Sequence, residues 1–110
     1  MDDKVRRART EALFRDVNER IAETAQRFEA VSTEFVCECS DPSCAHRVEA
    51  SLDEYEAVRS DGATFMLVPG HDHADIERVV ENLGRFEVVE KVQRTVRDTV
   101  RRLDPRTNLA

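Results

Sequence analysis

The sequence contains no tryptophan, and its 110 residues include only three glycines, three prolines and six aromatic side chains. Aromatic side chains supply much of the apolar area in protein cores, so this chain is predicted to build a thin core. The length allows one domain and excludes two cores of ordinary size. A small domain with a thin core is expected to need an additional staple, such as a metal ion or a disulfide.

Long apolar segments are also absent. No apolar run approaches the roughly 20 residues that a membrane-spanning helix needs, and the N-terminal segment lacks the apolar stretch of a secretory signal. We therefore expect a cytoplasmic protein that does not contact membranes. In a reducing compartment, clustered cysteines more often hold a metal ion than form a disulfide, and the three cysteines of this chain are an odd number.

The net charge is −6, and the charged side chains are unevenly distributed along the chain. Residues 32–90 carry four basic and fourteen acidic side chains, whereas residues 91–110 carry six basic and two acidic ones. The acidic middle repels phosphate backbones, so nucleic-acid binding by this part is disfavoured. Nucleic-acid contact through the basic C-terminal end stays a secondary alternative. The basic residues there include Arg94, Arg97, Arg101, Arg102 and Arg106.

Amphipathic helices are predicted at both ends of the chain. Residues 4–31 contain no glycine or proline, and apolar residues recur at spacings of three and four, which predicts a helix over residues 10–28. The charged segment before it is expected to fray or to project into solvent. A second apolar stripe predicts a C-terminal helix that ends before Pro105. The N-terminal stripe is the candidate interaction face and contains Phe14, Val17, Ile21 and Phe28. The C-terminal stripe contains Val92, Val96, Val100 and Leu103.

The chain thus divides into an N-terminal helix over residues 1–31, an α+β core over residues 32–91, and a C-terminal helix and tail over residues 92–110. Within the core, residues 33–39 and 46–51 are predicted to form a hairpin around an Asp-Pro turn. Ser51 followed three residues later by Glu54 is a capping box, which predicts a short helix ending near Gly62. The apolar segments 63–69 and 85–92 are predicted to be strands.

The segment 75–83 is compatible with two structures. Its apolar residues follow helical spacing, and Gly84 is suited to end a helix. Its valines lie one short turn before the strand at 85–92, which instead favours a hairpin. The local pattern slightly favours the helix, and both alternatives stay open from the residues alone.

A cysteine cluster is the part of the chain that needs a chemical explanation. The pattern C-x-C-x4-C is followed by a histidine after the next helix and strand, and three thiolates with one imidazole form a closed ligand set for tetrahedral zinc. The first two cysteines project to the same side of a strand, while an Asp-Pro turn folds the third cysteine back. A Pro-Gly pair bends the chain beside the histidine. The predicted zinc ligands are Cys37, Cys39, Cys44 and His71.

The fourth ligand is less strongly specified than the three cysteines. His46 lies two residues after Cys44, and His73 lies two residues after His71, so either is an alternative ligand. His71 is favoured because the Pro-Gly-His sequence ends a strand next to the expected hairpin tip. The competing interpretation of the cysteines, as buried apolar side chains, is disfavoured because three of them fall within eight residues of a polar, turn-forming segment.

The motifs FVCEC-x4-C, EYE-x-VR, PGH and VVEK, with NERI in the N-terminal helix, resemble a family of small, uncharacterised bacterial proteins of actinobacterial type. The resemblance covers about residues 11–91. It implies that Cys37, Cys39, Cys44 and His71 are metal ligands, and it favours a hairpin over a helix at 75–83. It implies no biochemical function.

The sequence therefore predicts an α+β protein with a small, zinc-ribbon-like antiparallel sheet, a short internal helix and flanking amphipathic helices. Four protein ligands leave no open zinc position for a catalytic water, and no nucleotide-binding or metalloprotease motif is present, so a non-enzymatic role is expected. We predict a structural-zinc module for protein interaction or regulation, acting on an unknown partner or by self-association through the terminal helices. The alternative is a redox- or zinc-responsive regulator that releases zinc when its thiols are oxidised.

Overall fold

The computed structural model describes residues 2–108 and confirms the α+β class. Two antiparallel sheets, one with two strands and one with three, are combined with three α-helices in this part of the chain. No helix among these residues is long and apolar enough to cross a bilayer. The elements are α1 (Asp3–Arg27), β1 (Ser32–Val36), β2 (Arg47–Ser51), α2 (Leu52–Val58), β3 (Thr64–Leu67), β4 (Glu77–Asn82), β5 (Glu87–Lys91), α3 (Arg94–Arg102) and a 3-10 turn (Pro105–Asn108).

Helix α1 begins at Asp3, so the predicted start at residue 10 is wrong and the charged first turns are helical. Asp2 caps the helix by accepting a hydrogen bond from the Lys4 backbone N–H at 2.8 Å. One turn later, the guanidinium of Arg7 binds the Asp75 carboxylate at 2.8 Å. Ala8 is fully buried in the core. The local cap, the ion pair from Arg7 to Asp75 and the burial of Ala8 attach this segment to the rest of the fold.

The face by which α1 packs against the rest of the protein is rotated from the predicted apolar stripe. Along the predicted stripe, Phe14 and Ile21 are half-buried, while Val17 is 39% exposed and Phe28 is 76% exposed. The stripe therefore borders the buried face and leaves part of its apolar surface open. The residues of α1 that are buried are Ala8, Glu11, Ala12, Arg15, Asn18 and Ala25.

The predicted hairpin is formed by β1 and β2, which are antiparallel with Phe35 opposite Val48. Strand β1 ends at Val36, earlier than predicted, so the segment from residue 37 to residue 46 forms the loop that carries the cysteines. At its end, α2 begins with the predicted capping box. The Ser51 side chain accepts from the Glu54 N–H at 3.0 Å, and the Glu54 carboxylate accepts from the Ser51 N–H at 2.8 Å. Helix α2 ends at Val58, before the predicted boundary.

The second sheet has the strand order β3-β5-β4, with both pairs antiparallel. Residues 77–82 are a strand, so the helix favoured by the local pattern is wrong and the hairpin alternative is confirmed. The Leu83 N–H donates to the Phe86 carbonyl at 2.9 Å and closes the turn, in which Gly84 has a φ of 85°. Pairing with β5 satisfies the backbone groups on one side of this edge strand, and of the apolar residues in 75–83 only Ile76 is fully buried.

Helix α3 is confirmed and packs against α1. The side chain of Gln93 caps it by accepting from the Val96 N–H at 2.8 Å. Val96 and Val100 are fully buried, whereas Val92 and Leu103, at the ends of the predicted stripe, are exposed. The helix ends at Arg102, before Pro105, as predicted.

The interior holds several charged side chains that apolar patterning does not indicate. Lys91 is fully buried; its ammonium group binds the carboxylate of Glu11 at 2.7 Å and also that of Glu77. The same ammonium lies 4.7 Å from the ring centre of Phe65, and the guanidinium of the buried Arg15 lies 4.6 Å from that centre. Buried charges require such partners because an isolated charge in the interior is costly.

Candidate metal centre

The four predicted ligands are brought together by the fold. The ligand atoms of Cys37, Cys39, Cys44 and His71 all lie within 4.8 Å of one another. The His71 Nδ1 atom is 3.6 Å from the Cys37 sulfur and 3.8 Å from the Cys44 sulfur. Typical zinc–sulfur and zinc–nitrogen bond lengths place these atoms about 3.6 Å apart in a tetrahedron. The donor set and its spacing therefore fit a tetrahedral metal ion.

Cys37 is fixed in place by backbone hydrogen bonds on both sides. It directly follows β1, and its N–H donates to the His46 carbonyl at 3.1 Å, which continues the β1–β2 pairing by one residue. Its sulfur accepts a hydrogen bond from the Val68 N–H at 3.2 Å. Such N–H···S contacts orient a thiolate ligand and stabilise its charge.

The turn that returns Cys44 to the site is built on Asp41. The Asp41 carboxylate accepts from the N–H and the hydroxyl of Ser43 at 2.9 and 2.7 Å. The Cys44 N–H then donates to the Asp41 carbonyl at 3.0 Å. This is the Asp-Pro turn predicted from the sequence, and it brings the third sulfur back towards the first two.

His71 reaches the cysteines from the second sheet. After β3 the chain turns through Pro69 and Gly70, and the His71 N–H donates to the Val68 carbonyl at 3.0 Å. Gly70 has a φ of 91°, a backbone conformation that side-chain-bearing residues rarely adopt. The candidate metal centre thus lies between the end of the β1–β2 hairpin and the end of β3.

Two supporting residues were not identified from the sequence. Glu38, between the two buried cysteines, is itself fully buried and accepts from the Met66 N–H at 2.9 Å. Its other carboxylate oxygen accepts from the Asn18 side-chain amide at 2.7 Å. That amide also donates to the Val36 carbonyl at 2.9 Å, and the Asn18 Oδ1 atom accepts from the Val36 N–H at 2.8 Å. Asn18 and Glu38 therefore tie α1, β1 and β3 together beside the ligands.

A glutamate between two cysteines in a strand-like segment is ordinarily taken to be solvent-exposed, because alternate side chains of a strand face opposite sides. In this fold the opposite side of the segment faces α1 and β3. The sequence signal for Glu38 is its position between two ligands, and that signal alone does not distinguish an exposed carboxylate from a buried one.

The two alternative histidines lie outside the group of four ligand atoms. His46 is exposed, and its ring packs edge-on against that of His71 with ring centres 5.0 Å apart. His73 is also exposed, and its backbone N–H donates to the Glu77 carboxylate at 2.8 Å. Across residues 2–108, the group of Cys37, Cys39, Cys44 and His71 is the single cluster of three or more potential ligands that could hold a metal ion.

Burial and mutual hydrogen bonding separate the pKa values of the cysteines. The hydrogen bond from Cys37, assisted by the backbone N–H of Asp41, lowers the pKa of Cys39 to about 5. The pKa of Cys37 is raised because it holds the proton of that hydrogen bond and because it is buried. Burial also raises the pKa of Cys44. The two opposite pKa shifts belong to one hydrogen-bonded pair, Cys37 and Cys39, which therefore loses one proton more readily than the other.

The predicted interaction face borders a shallow groove at the C-terminal half of α1. Val17, Ile21 and Phe28 line this groove, and Phe14 does not. The groove is also lined by Arg20, Thr24, Ala25, Ala30 and Thr33.

Two of the basic residues considered for nucleic-acid contact form ion pairs within the protein. Arg101 binds Asp61 at 3.3 Å, and Arg106 binds Glu19 at 2.6 Å.

Comparison of the chain with protein-family models, with curated proteins and with solved structures gives no match. The family resemblance described above stays a prediction, and the functional assignment depends on the geometry of the site.

Proposed function

We propose that this protein is a small interaction module whose fold is stabilised by structural Zn²⁺. The observation that carries the proposal is the convergence of three cysteine sulfurs and one imidazole nitrogen within 4.8 Å. Thiolate and imidazole ligands in a tetrahedral arrangement favour zinc over the harder cations, which prefer oxygen. The loop that carries the cysteines would then act as a zinc-ribbon-like knuckle.

A structural role is favoured over a catalytic one by the ligand count. Four protein donors complete a tetrahedral shell, whereas catalytic zinc keeps a position for water or substrate. Zinc binding to such a site contributes on the order of 10 kcal/mol at neutral pH. This is comparable to the whole stability of a small domain, roughly 5–15 kcal/mol. Zinc binding would therefore supply the additional stabilisation that the thin core requires.

The interaction role is supported by the part of α1 that the fold leaves uncovered. Phe28 is 76% exposed and Val31 is 84% exposed, and both lie at the junction of α1 and β1. Val17 and Ile21 continue this apolar surface along the groove. We propose that a protein partner, or a second copy of the chain, covers it.

The zinc proposal is tested by elemental analysis of protein purified without added metal. We expect about one zinc per chain in the wild type and much less in Cys39→Ser and His71→Ala. His73→Ala is the matched control, because this histidine also follows β3 but lies outside the cluster, and it should keep its zinc. A wild-type protein without zinc, or a full zinc content in His71→Ala, would refute the four-ligand site.

The interaction surface is tested separately by sedimentation velocity over a wide range of protein concentration. Phe28→Ser should reduce any concentration-dependent association, while Val79→Ser, which changes an exposed apolar residue of β4, should not. A wild-type chain that stays monomeric throughout would exclude self-association. Equal effects of the two substitutions would argue against a specific role for the α1 surface.

A further inference from the structure

The three cysteines of the cluster differ in their access to solvent. Cys37 is 1% exposed and Cys39 is 2% exposed, and both belong to the core cluster that contains Phe65 and Ile76. Cys44 is only half-buried and is the last residue of the turn built on Asp41. A small solute can therefore approach one of the three sulfurs more easily than the other two.

The approach to Cys44 is an open, polar depression in the surface. His71 and His46 form one side of it, and the polar turn that precedes Cys44 forms another. A depression with polar walls admits a small polar oxidant such as hydrogen peroxide. Its lining residues are Asp41, Ser43, Cys44, Ala45, His46 and His71.

We propose that Cys44 is an oxidation site through which hydrogen peroxide releases the metal ion; this proposal rests on the zinc site proposed above. The Cys44 thiolate attacks the peroxide, so that a sulfur–oxygen bond forms and the oxygen–oxygen bond breaks. The products are a sulfenic acid and hydroxide. The sulfur of one of the two buried cysteines, as a thiolate, then attacks the sulfenic sulfur, forms a disulfide and expels a second hydroxide.

The two steps balance as a two-electron oxidation. Two thiolates lose two electrons to form the disulfide, and hydrogen peroxide is reduced to two hydroxides, which take up protons to become water. The sulfurs start within 4.8 Å of one another, so the disulfide forms with a modest movement of the Cys44 turn. Zinc loses two of its four ligands and dissociates.

Loss of the metal ion removes the connection between the hairpin end and the end of β3. Cys37 keeps its hydrogen bond from the Val68 N–H, and Glu38 keeps its bonds to Asn18 and Met66. The change is therefore centred on the Cys44 turn and on His71, whose Nδ1 lies 3.8 Å from the Cys44 sulfur and which a bound zinc ion would link to it. Oxidation would convert the zinc-bound loop into a mobile one without first disrupting the core.

The experiment uses the full chain loaded with zinc and treated with hydrogen peroxide, while a chromogenic chelator records the released metal. Cys44→His replaces the accessible thiolate with an imidazole and keeps four potential ligands. We expect it to slow zinc release at least about tenfold, because the remaining thiolates are shielded. His73→Ala is the control: this exposed histidine lies outside the cluster, so the variant keeps all four ligands and the accessible Cys44 thiolate and should release zinc about as fast as the wild type.

Mass mapping of the wild type after limiting peroxide provides a measurement that does not depend on either variant folding. Oxidation should appear first at Cys44 and then as a disulfide from Cys44 to Cys37 or Cys39. Initial oxidation at Cys39, or equally fast zinc release from Cys44→His, overturns the proposal. Zinc-loaded protein that resists peroxide overturns this inference alone, whereas a wild type that contains no zinc overturns the zinc site as well.

Discussion

Replacing Asn18 with alanine is expected to weaken both the fold and the metal centre. The Asn18 side chain is fully buried and makes two hydrogen bonds to the backbone of Val36 and one to the carboxylate of Glu38. A neutral hydrogen bond contributes about 1 kcal/mol and one to a charged group about 1.5–3 kcal/mol. The substitution should therefore lower the free energy of unfolding by about 4 kcal/mol.

The same substitution should reduce zinc affinity, although Asn18 touches no ligand atom. Glu38 lies between Cys37 and Cys39, so a carboxylate that loses one of its partners leaves both ligands less firmly oriented. Loss of a supporting contact of this kind commonly lowers metal affinity by about 10- to 100-fold. Burial already raises the pKa of Glu38, so removal of the Asn18 amide makes protonation of this carboxyl still easier.

Urea denaturation of the zinc-loaded protein measures the loss of folding stability in Asn18→Ala, and competition with a chelator of known affinity measures its loss of zinc affinity. Asn82→Ala is the control, because Asn82 is exposed and accepts one local hydrogen bond from the Gly84 N–H at 2.8 Å. It should cost less than about 1 kcal/mol and leave zinc affinity unchanged. If Asn18→Ala costs no more than this control and binds zinc as tightly as the wild type, the proposed coupling between α1 and the metal centre is wrong.

Other substitutions test the buried charges and the turn that carries His71. Lys91→Met should cost about 3–5 kcal/mol in urea denaturation, because it leaves two buried carboxylates without their cation, and a cost below about 1 kcal/mol would contradict this interpretation. Burial raises the pKa of Glu11 from 4.5 to about 7, so its protonation favours the folded state, and stability from this group should fall as pH rises from 4.5 to 7. In Glu11→Gln at saturating zinc, the free energy of unfolding should no longer fall for this reason between pH 4.5 and 7. Identical curves of stability against pH for the variant and the wild type would refute this role of Glu11. Gly70→Ala and Gly84→Ala place alanine at φ values of 91° and 85° and should each cost about 1 kcal/mol or more, but only Gly70→Ala should weaken zinc binding, as equilibrium competition would show.

Much of the candidate site was predictable because its signals are local. The alternation of side chains in C-x-C, the Asp-Pro turn before Cys44 and the Pro-Gly bend before His71 each constrain only a few neighbouring residues. The capping box of Ser51 and Glu54 is local in the same way, and it forms as predicted. Local turn chemistry therefore indicated which side chains converge, although the partners lie as far apart in sequence as Cys37 and His71.

The segment 75–83 shows where local pattern was insufficient. Its apolar spacing fits one face of a helix, yet the structure pairs residues 77–82 with β5 and exposes Val79 and Val80. The energy that decides between the two structures comes from backbone pairing with a strand that already pairs with β3. The residues of 75–83 alone do not show that β5 lies beside them, so their periodicity could not decide between helix and strand.

By itself, the sequence determined the α+β class, the hairpin at the cysteine loop, the capped helix α2 and the identity of the four clustered side chains. Only the tertiary structure decided that the buried face of α1 includes Arg15 and Asn18, and that Glu38 and Lys91 are interior. The physical reason is that a charged or polar side chain is stable in the core only when specific partners satisfy it. Those partners come from distant segments, and the chain has to fold before they are neighbours.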